Sequence, residues 1–117
     1  MRHDESRSIE GQADPLTEAV LLILLSLAAE PRHGYSILKD LAEISSGRVV
    51  MSTGTLYGAL RRLLDQKWIE RFEEADAVRG RIAYRLAPDG QRRLGAEVQR
   101  MNHLTHLARL RTVGMEA

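Results

Sequence analysis

Between Ser52 and Lys67 the chain reads STGTLYGALRRLLDQK, and its polar residues are of kinds that bind phosphate and read base edges. Arg61 and Arg62 carry planar guanidinium forks that match a phosphate or the O6/N7 edge of a guanine. Ser52, Thr53 and Thr55 put hydroxyls at a helix start, where free backbone amides already suit an anion. Tyr57 adds a phenolic hydroxyl that either reaches a phosphate or packs over a neighbouring element. Gly54 and Gly58 stand one turn apart. Each costs an exposed helix about 1 kcal/mol relative to alanine, and each lets another molecule come close to the backbone. The competing readings are a simply solvated face or a salt bridge from Arg61 to Asp65, with one of the hydroxyls serving only as a helix cap.

Such residues need a helix with a core behind it. At helical spacing Leu56, Ala59, Leu60 and Leu63 form one apolar stripe, while Gly54, Tyr57, Gly58, Arg61 and Asp65 fall on the opposite side and Arg62 toward the flank. The preceding segment, Gly34 to Ser45, also has a helical pattern, with Tyr35, Leu38, Leu41 and Ala42 on one side. Ser45-Ser46-Gly47 ends it, and Arg48 to Met51 reads as a very short strand or extended link. Two helices joined by a short connection, the second with a basic outer face, are the arrangement of a helix-turn-helix.

After Lys67 the period changes to alternation. Trp68, Glu70, Phe72 and Glu74 interleave with Ile69 and Arg71, and Ile82, Tyr84 and Leu86 interleave with Arg81, Ala83 and Arg85. This predicts a β-hairpin, or wing, whose turn carries Arg79; Arg79 and Arg81 are expected on a minor groove or backbone, with Glu73, Glu74 and Asp76 opposing them. Trp68 and Phe72 read as core beneath the hairpin.

Two further helices flank this unit. Asp14-Pro15 predicts the opening of a helix running to about Ala29, apolar around nearly its whole circumference. So short a chain cannot wrap it alone, which assigns Leu21, Leu24 and Leu25 to a subunit interface. Pro88-Asp89-Gly90 begins a last helix with Leu94, Val98, Met101, Leu104 and Ala108 at seam spacing, joined by Leu107, ending near Val113. About 25 residues make a helix near 37 Å long, and the natural partner of such a seam is a copy of itself. The expected organisation is an arm over 1–13, a winged helix-turn-helix domain over 14–87 and a dimerisation helix with a short tail over 88–117. The fold class is mainly α with a small β-hairpin.

Composition narrows the functions. The chain has 117 residues and no cysteine, which removes disulfides, thiolate metal sites and thiol catalysis. Its net charge is +1, so no global charge argues for nucleic acid, yet from Arg48 to Arg85 basic residues outnumber acids. The longest apolar run, Ala19 to Ala29, is too short for a bilayer, and a soluble cytoplasmic protein is expected. His103 and His106, one turn apart, are candidates for half a metal site, but ordinary surface or seam residues are the expected reading. No nucleophile and base, phosphate loop or buried carboxylate pair stands out, so neither catalysis nor a cofactor is expected.

His33-Gly34-Tyr35, the run Gly54-Thr55-Leu56-Tyr57 with Ala59-Leu60-Arg61-Arg62-Leu63, and Tyr84-Arg85-Leu86 before Gly90 occur in that order. In these the sequence resembles the PadR family of bacterial transcriptional regulators, in its short form with a single C-terminal helix. The resemblance covers Leu16 to about Met101. It implies a homodimeric winged-helix DNA-binding protein, a repressor on a pseudo-palindromic operator, often released by a small-molecule effector. The chain departs from the family pattern at Thr53 and Gly58, where prolines are common, and at Ala87, where a threonine is expected and would cap the last helix. The alternatives are a winged-helix module that binds protein and never DNA, or a metal or small-molecule sensor.

Overall fold

A computed structural model of the chain describes residues 14–72 and 82–115. The expected N-terminal arm and the hairpin turn, with Glu73, Glu74, Asp76, Arg79 and Arg81, lie outside the described residues. The elements run α1 (Glu18–Ala29), β1 (Arg32–His33), α2 (Gly34–Ile44), α3 (Thr53–Asp65), β2 (Ile69–Phe72), β3 (Ala83–Leu86) and α4 (Pro88–Arg111).

The first helix starts later than Asp14-Pro15 predicts. Thr17 is its cap, accepting the Val20 amide at 3.2 Å, with Glu18 in the first turn where a carboxylate favours the helix dipole. Asp14 to Leu16 instead approach α4: Arg93 donates to the Asp14 carbonyl, and the Leu16 amide donates to Glu97. Ile23, Leu24 and Leu27 of α1 pack with Ile37 and Leu41 of α2 and with Leu56, Leu60 and Leu63 of α3, each almost wholly buried. Burying each such side chain stabilises the fold by about 1.5 to 3 kcal/mol. The stripe expected on α3 is therefore the one buried, whereas on α2 Ile37 replaces Tyr35, which is exposed. Tyr35 stands two positions from Ile37, on the other side of the helix.

A third strand, β1, joins the two strands of the expected hairpin. It pairs antiparallel with β3, Arg32 opposite Tyr84 and His33 opposite Ala83, and β2 pairs with the other edge of β3, Arg71 opposite Tyr84. The order β1-β3-β2 makes β3 the centre of the sheet. Two residues are too few to show an alternating period, and pairing with a distant strand decides their conformation. Arg32 is held there by the Ser26 carbonyl at 3.1 Å and by Asp40 at 3.5 Å.

Helix α4 starts without a side-chain cap, as Ala87 in place of threonine predicts. The Ala87 amide donates to the Trp68 carbonyl at 2.9 Å, and a Cβ on Gly90 would stand 2.0 Å from that same oxygen. Glycine at 90 is what lets the first turn of α4 lie on the corner between α3 and β2. Arg93 then covers the Trp68 ring, 5.5 Å from its centroid. Glu97 is buried and accepts from Arg100 at 2.6 and 3.2 Å. That bond, more than any other contact, holds the Glu97 carboxyl below its ordinary range; burial pulls the other way, and Arg93 and the Leu16 amide reinforce it. Beyond this knot, every residue from Met101 to Met115 is exposed.

Two residues assigned to the subunit interface prove otherwise. Leu24 is fully buried in its own subunit and Leu94 packs into the same core, so neither is available to a partner. Leu25, Val98, Met101, Leu104 and Ala108 are exposed and Leu21 is half-buried.

Candidate nucleic-acid interface

Helix α3 is presented by its N-terminal cap and by its neighbours. Ser52 accepts the Thr55 amide at 3.1 Å, and its hydroxyl donates to Thr55 Oγ1 at 3.0 Å, so these two side chains close the first turn. Thr53 and Gly54 are left exposed beside them. Arg61 and Asp65 are exposed on the face opposite the buried stripe. Among the described residues no ion pair links Arg61 to Asp65, or either to another group. The Arg61–Asp65 salt bridge weighed for this face is therefore not formed, and the face is exposed.

Tyr57 belongs to the edge of that face. Its ring lies over Gly34, where a Cβ would meet the Tyr57 hydroxyl oxygen at 2.1 Å. The glycine that opens α2 and the tyrosine in the second turn of α3 are thus two halves of one contact between the helices. About a fifth of the chain separates them, so the sequence shows both residues without showing that they meet.

On the same side, α3 and the sheet bound an open cleft of about 650 Å³. Arg61, Lys67 and Arg71 line it together with Tyr57 and Tyr84. Lys67 has left-handed backbone (φ 65°) at the end of α3, turning the chain from helix into β2. Arg71 stands opposite Tyr84 in the strand pair, on the sheet face that also buries Ile69. Burial, chiefly, raises the Tyr84 pKa above 10.0, assisted by Tyr57 and opposed by Arg71. Its hydroxyl therefore stays protonated and able to donate. In the sequence Lys67 and Arg71 are basic residues with no signal that places them at the interface; the register that aims Arg71 at α3 is a tertiary property.

Arg62 lies on the opposite flank of α3, lining a second cleft of about 400 Å³ with Thr17, Trp68 and Arg93. Gly58 is half-buried and its missing Cβ would touch Arg62 Nη1 at 3.9 Å. His103 and His106 are exposed on α4, and among the described residues no cluster of three or more metal-ligating side chains occurs. No described helix is long and apolar enough to cross a membrane.

A helix-turn-helix whose second helix carries unpaired cations, backed by a hairpin and a small third strand, defines the winged-helix class of nucleic-acid-binding proteins. The model of the transcriptional regulator PadR-like family matches residues 23–96, and the chain belongs to that family. A 37.1 kDa protein of transposon Tn4556 from Streptomyces fradiae is 34% identical over 88 residues. That match covers 75% of this chain but 24% of the relative, so the chain spans about a quarter of that protein's length. A PadR family transcription regulator from Clostridium difficile R20291 superposes with a TM-score of 0.63 at 26% identity, covering 74% of this chain and 90% of that one. Bacillus subtilis PadR, solved in complex with operator DNA, shares the fold at a TM-score of 0.60 and 22% identity, over 70% of this chain and 46% of that one.

Proposed function

We propose that this chain is a DNA-binding transcriptional repressor that works as a homodimer. The observation that carries the reading is the outer face of α3, where Arg61 is exposed and unpaired among the described residues while Gly54 leaves open space at the helix surface. Helix α3 enters the major groove, and Ser52, Thr53, Gly54, Thr55, Tyr57, Gly58, Arg61 and Arg62 supply its contacts; the wing adds Arg79 and Arg81. Arg61 reads a base edge or phosphate, and Arg62, from the flank, supports the adjacent backbone.

The dimer is supported by the far half of α4. Val98, Met101, Leu104, Leu107 and Leu110 form exposed apolar positions on a helix that leaves its own core behind, and Leu25 of α1 is exposed as well. An apolar surface of this length is unusual on a monomer and is what a helical interface supplies. A two-fold pair sets its α3 helices about 34 to 36 Å apart, one turn of DNA. An effector acts by changing that spacing from a site between subunits, since a ligand shifts the population only if it binds one arrangement better. The protein works in the cytoplasm, where its DNA lies.

In a mobility-shift titration against DNA from upstream of its own gene, Arg61→Ala weakens binding by about 1 to 3 kcal/mol, about five- to hundredfold, with the thermal midpoint unchanged. Equal affinity of the two proteins refutes the assignment of this face. Binding of a protein partner at α3, with no affinity for any duplex, favours the interaction-module reading.

A further inference from the structure

The cleft between α3 and the sheet is not required by a helix that reads bases. Its charge is also not accounted for by pairing inside the protein. Of its two carboxylates, Glu70 is engaged by Arg85 at 2.8 Å, and Asp65 stands on the outer face of α3. Arg61, Lys67 and Arg71 all line the cleft, all are exposed, and among the described residues none has an ion-pair partner. Tyr84 lines it as well, almost wholly buried and with its hydroxyl kept protonated.

Resting on the DNA-binding reading above, we infer that this cleft seats a DNA phosphate at the ridge between the major groove and the next minor groove. Lys67 and Arg71 neutralise it and the Tyr84 hydroxyl donates to it. Three features fit a phosphodiester rather than a base. The cations come from two different elements, the end of α3 and the base of the wing, so they bracket a strand that crosses between them. Lysine and arginine both serve a phosphate, whereas base reading favours a single aimed fork. The site is an open trough, which admits a continuous strand. The base of the wing, independently of its tip, then fixes how deeply α3 enters the groove.

Phosphate contacts are read by the salt dependence of binding to any duplex, so the probe is a 30-base-pair duplex of mixed sequence and the protein is the full chain. Each neutralised phosphate contributes about 0.9 to the slope of log K against log salt. The double variant Lys67→Asn with Arg71→Gln leaves that phosphate without its cations in each subunit, so a dimer's slope falls by about 1.8. Binding of the double variant is accordingly about twelvefold less sensitive to a change from 50 to 200 mM salt. Asparagine is chosen at 67 because it tolerates left-handed backbone. Tyr84→Phe weakens binding several-fold at every salt concentration and leaves the slope unchanged, because no charge is removed. If the parent protein binds with a steep slope and the double variant keeps that slope, the phosphate seat is overturned while the DNA-binding reading stands. If the parent protein does not bind the duplex, or binds with no salt dependence, the DNA-binding reading fails and this inference with it.

Discussion

Gly58→Ala separates what the α3 glycines do for the fold from what they do for the ligand. In the free protein a methyl at 58 meets Arg62 Nη1 at 3.9 Å, an ordinary contact with the end of a flexible side chain. No described residue opposes the change, and an alanine inside a helix is more stable than a glycine by about 1 kcal/mol. A domain of this size should gain about 4 to 8 °C in its thermal midpoint from that difference. The bound state is expected to respond in the opposite direction. A methyl extends the helix surface by about 1.5 Å, one carbon–carbon bond. Where DNA lies against the backbone, the overlap costs about 1 to 3 kcal/mol, as overpacking does in a protein interior. Affinity should therefore fall about five- to hundredfold while stability rises. Circular dichroism melting at fixed protein concentration reads the first, and fluorescence anisotropy on a labelled upstream duplex reads the second. A variant that is more stable and binds equally well refutes the idea that the glycines serve close approach. A variant that is less stable refutes the account of the free helix.

Two other positions test how α4 is fastened to the DNA-binding unit. Gly90→Ala should destabilise the fold steeply, by about 3 kcal/mol or more, because its Cβ would lie 2.0 Å from a backbone oxygen that cannot swing away. Gly95→Ala, in the same helix with open space around it, should be neutral or stabilising; equal effects of the two would contradict the packing described. Glu97 tests the ionic knot through pH. Its pKa lies below the ordinary 4.5 in the folded state, so near and below that value the unfolded chain binds more protons than the folded one. The stability it contributes is therefore complete above pH 4.5 and is lost as pH falls through the lower folded value. Glu97→Gln should melt earlier at neutral pH and lose part of the fall in stability expected as pH drops below the ordinary 4.5; an unchanged pH profile would show that the carboxylate is not held as described.

The elements with a strong period were legible in the sequence, and those decided by distant contacts were not. Leu56, Ala59, Leu60 and Leu63 announced the buried side of α3 because four apolar residues at helical spacing have one way to be buried. Ser52 announced its cap by type and position. Thr17 and Asp14 both carry cap chemistry, and packing of the 14–17 segment against α4 decides between them. Leu24 and Leu25 are neighbours in a wholly apolar run; one is sealed in the core and the other exposed, and a helix without a polar side gives no signal of which. Glu97 looks like any exposed helical carboxylate until Arg93, Arg100 and the Leu16 amide are seen around it. At the candidate interface, residue types identified Arg61 and the glycines, while Lys67, Arg71 and Tyr84 needed the strand register to bring them beside α3.

Hydroxyl-radical footprinting of the full chain on DNA from upstream of its gene tests the whole account most directly. Two protected patches on one side of the duplex, centred about 34 to 36 Å apart and both lost in Arg61→Ala, are the predicted result. A single patch, protection that persists in Arg61→Ala, or no protection where the protein is in excess would contradict a two-fold pair of α3 helices reading one duplex.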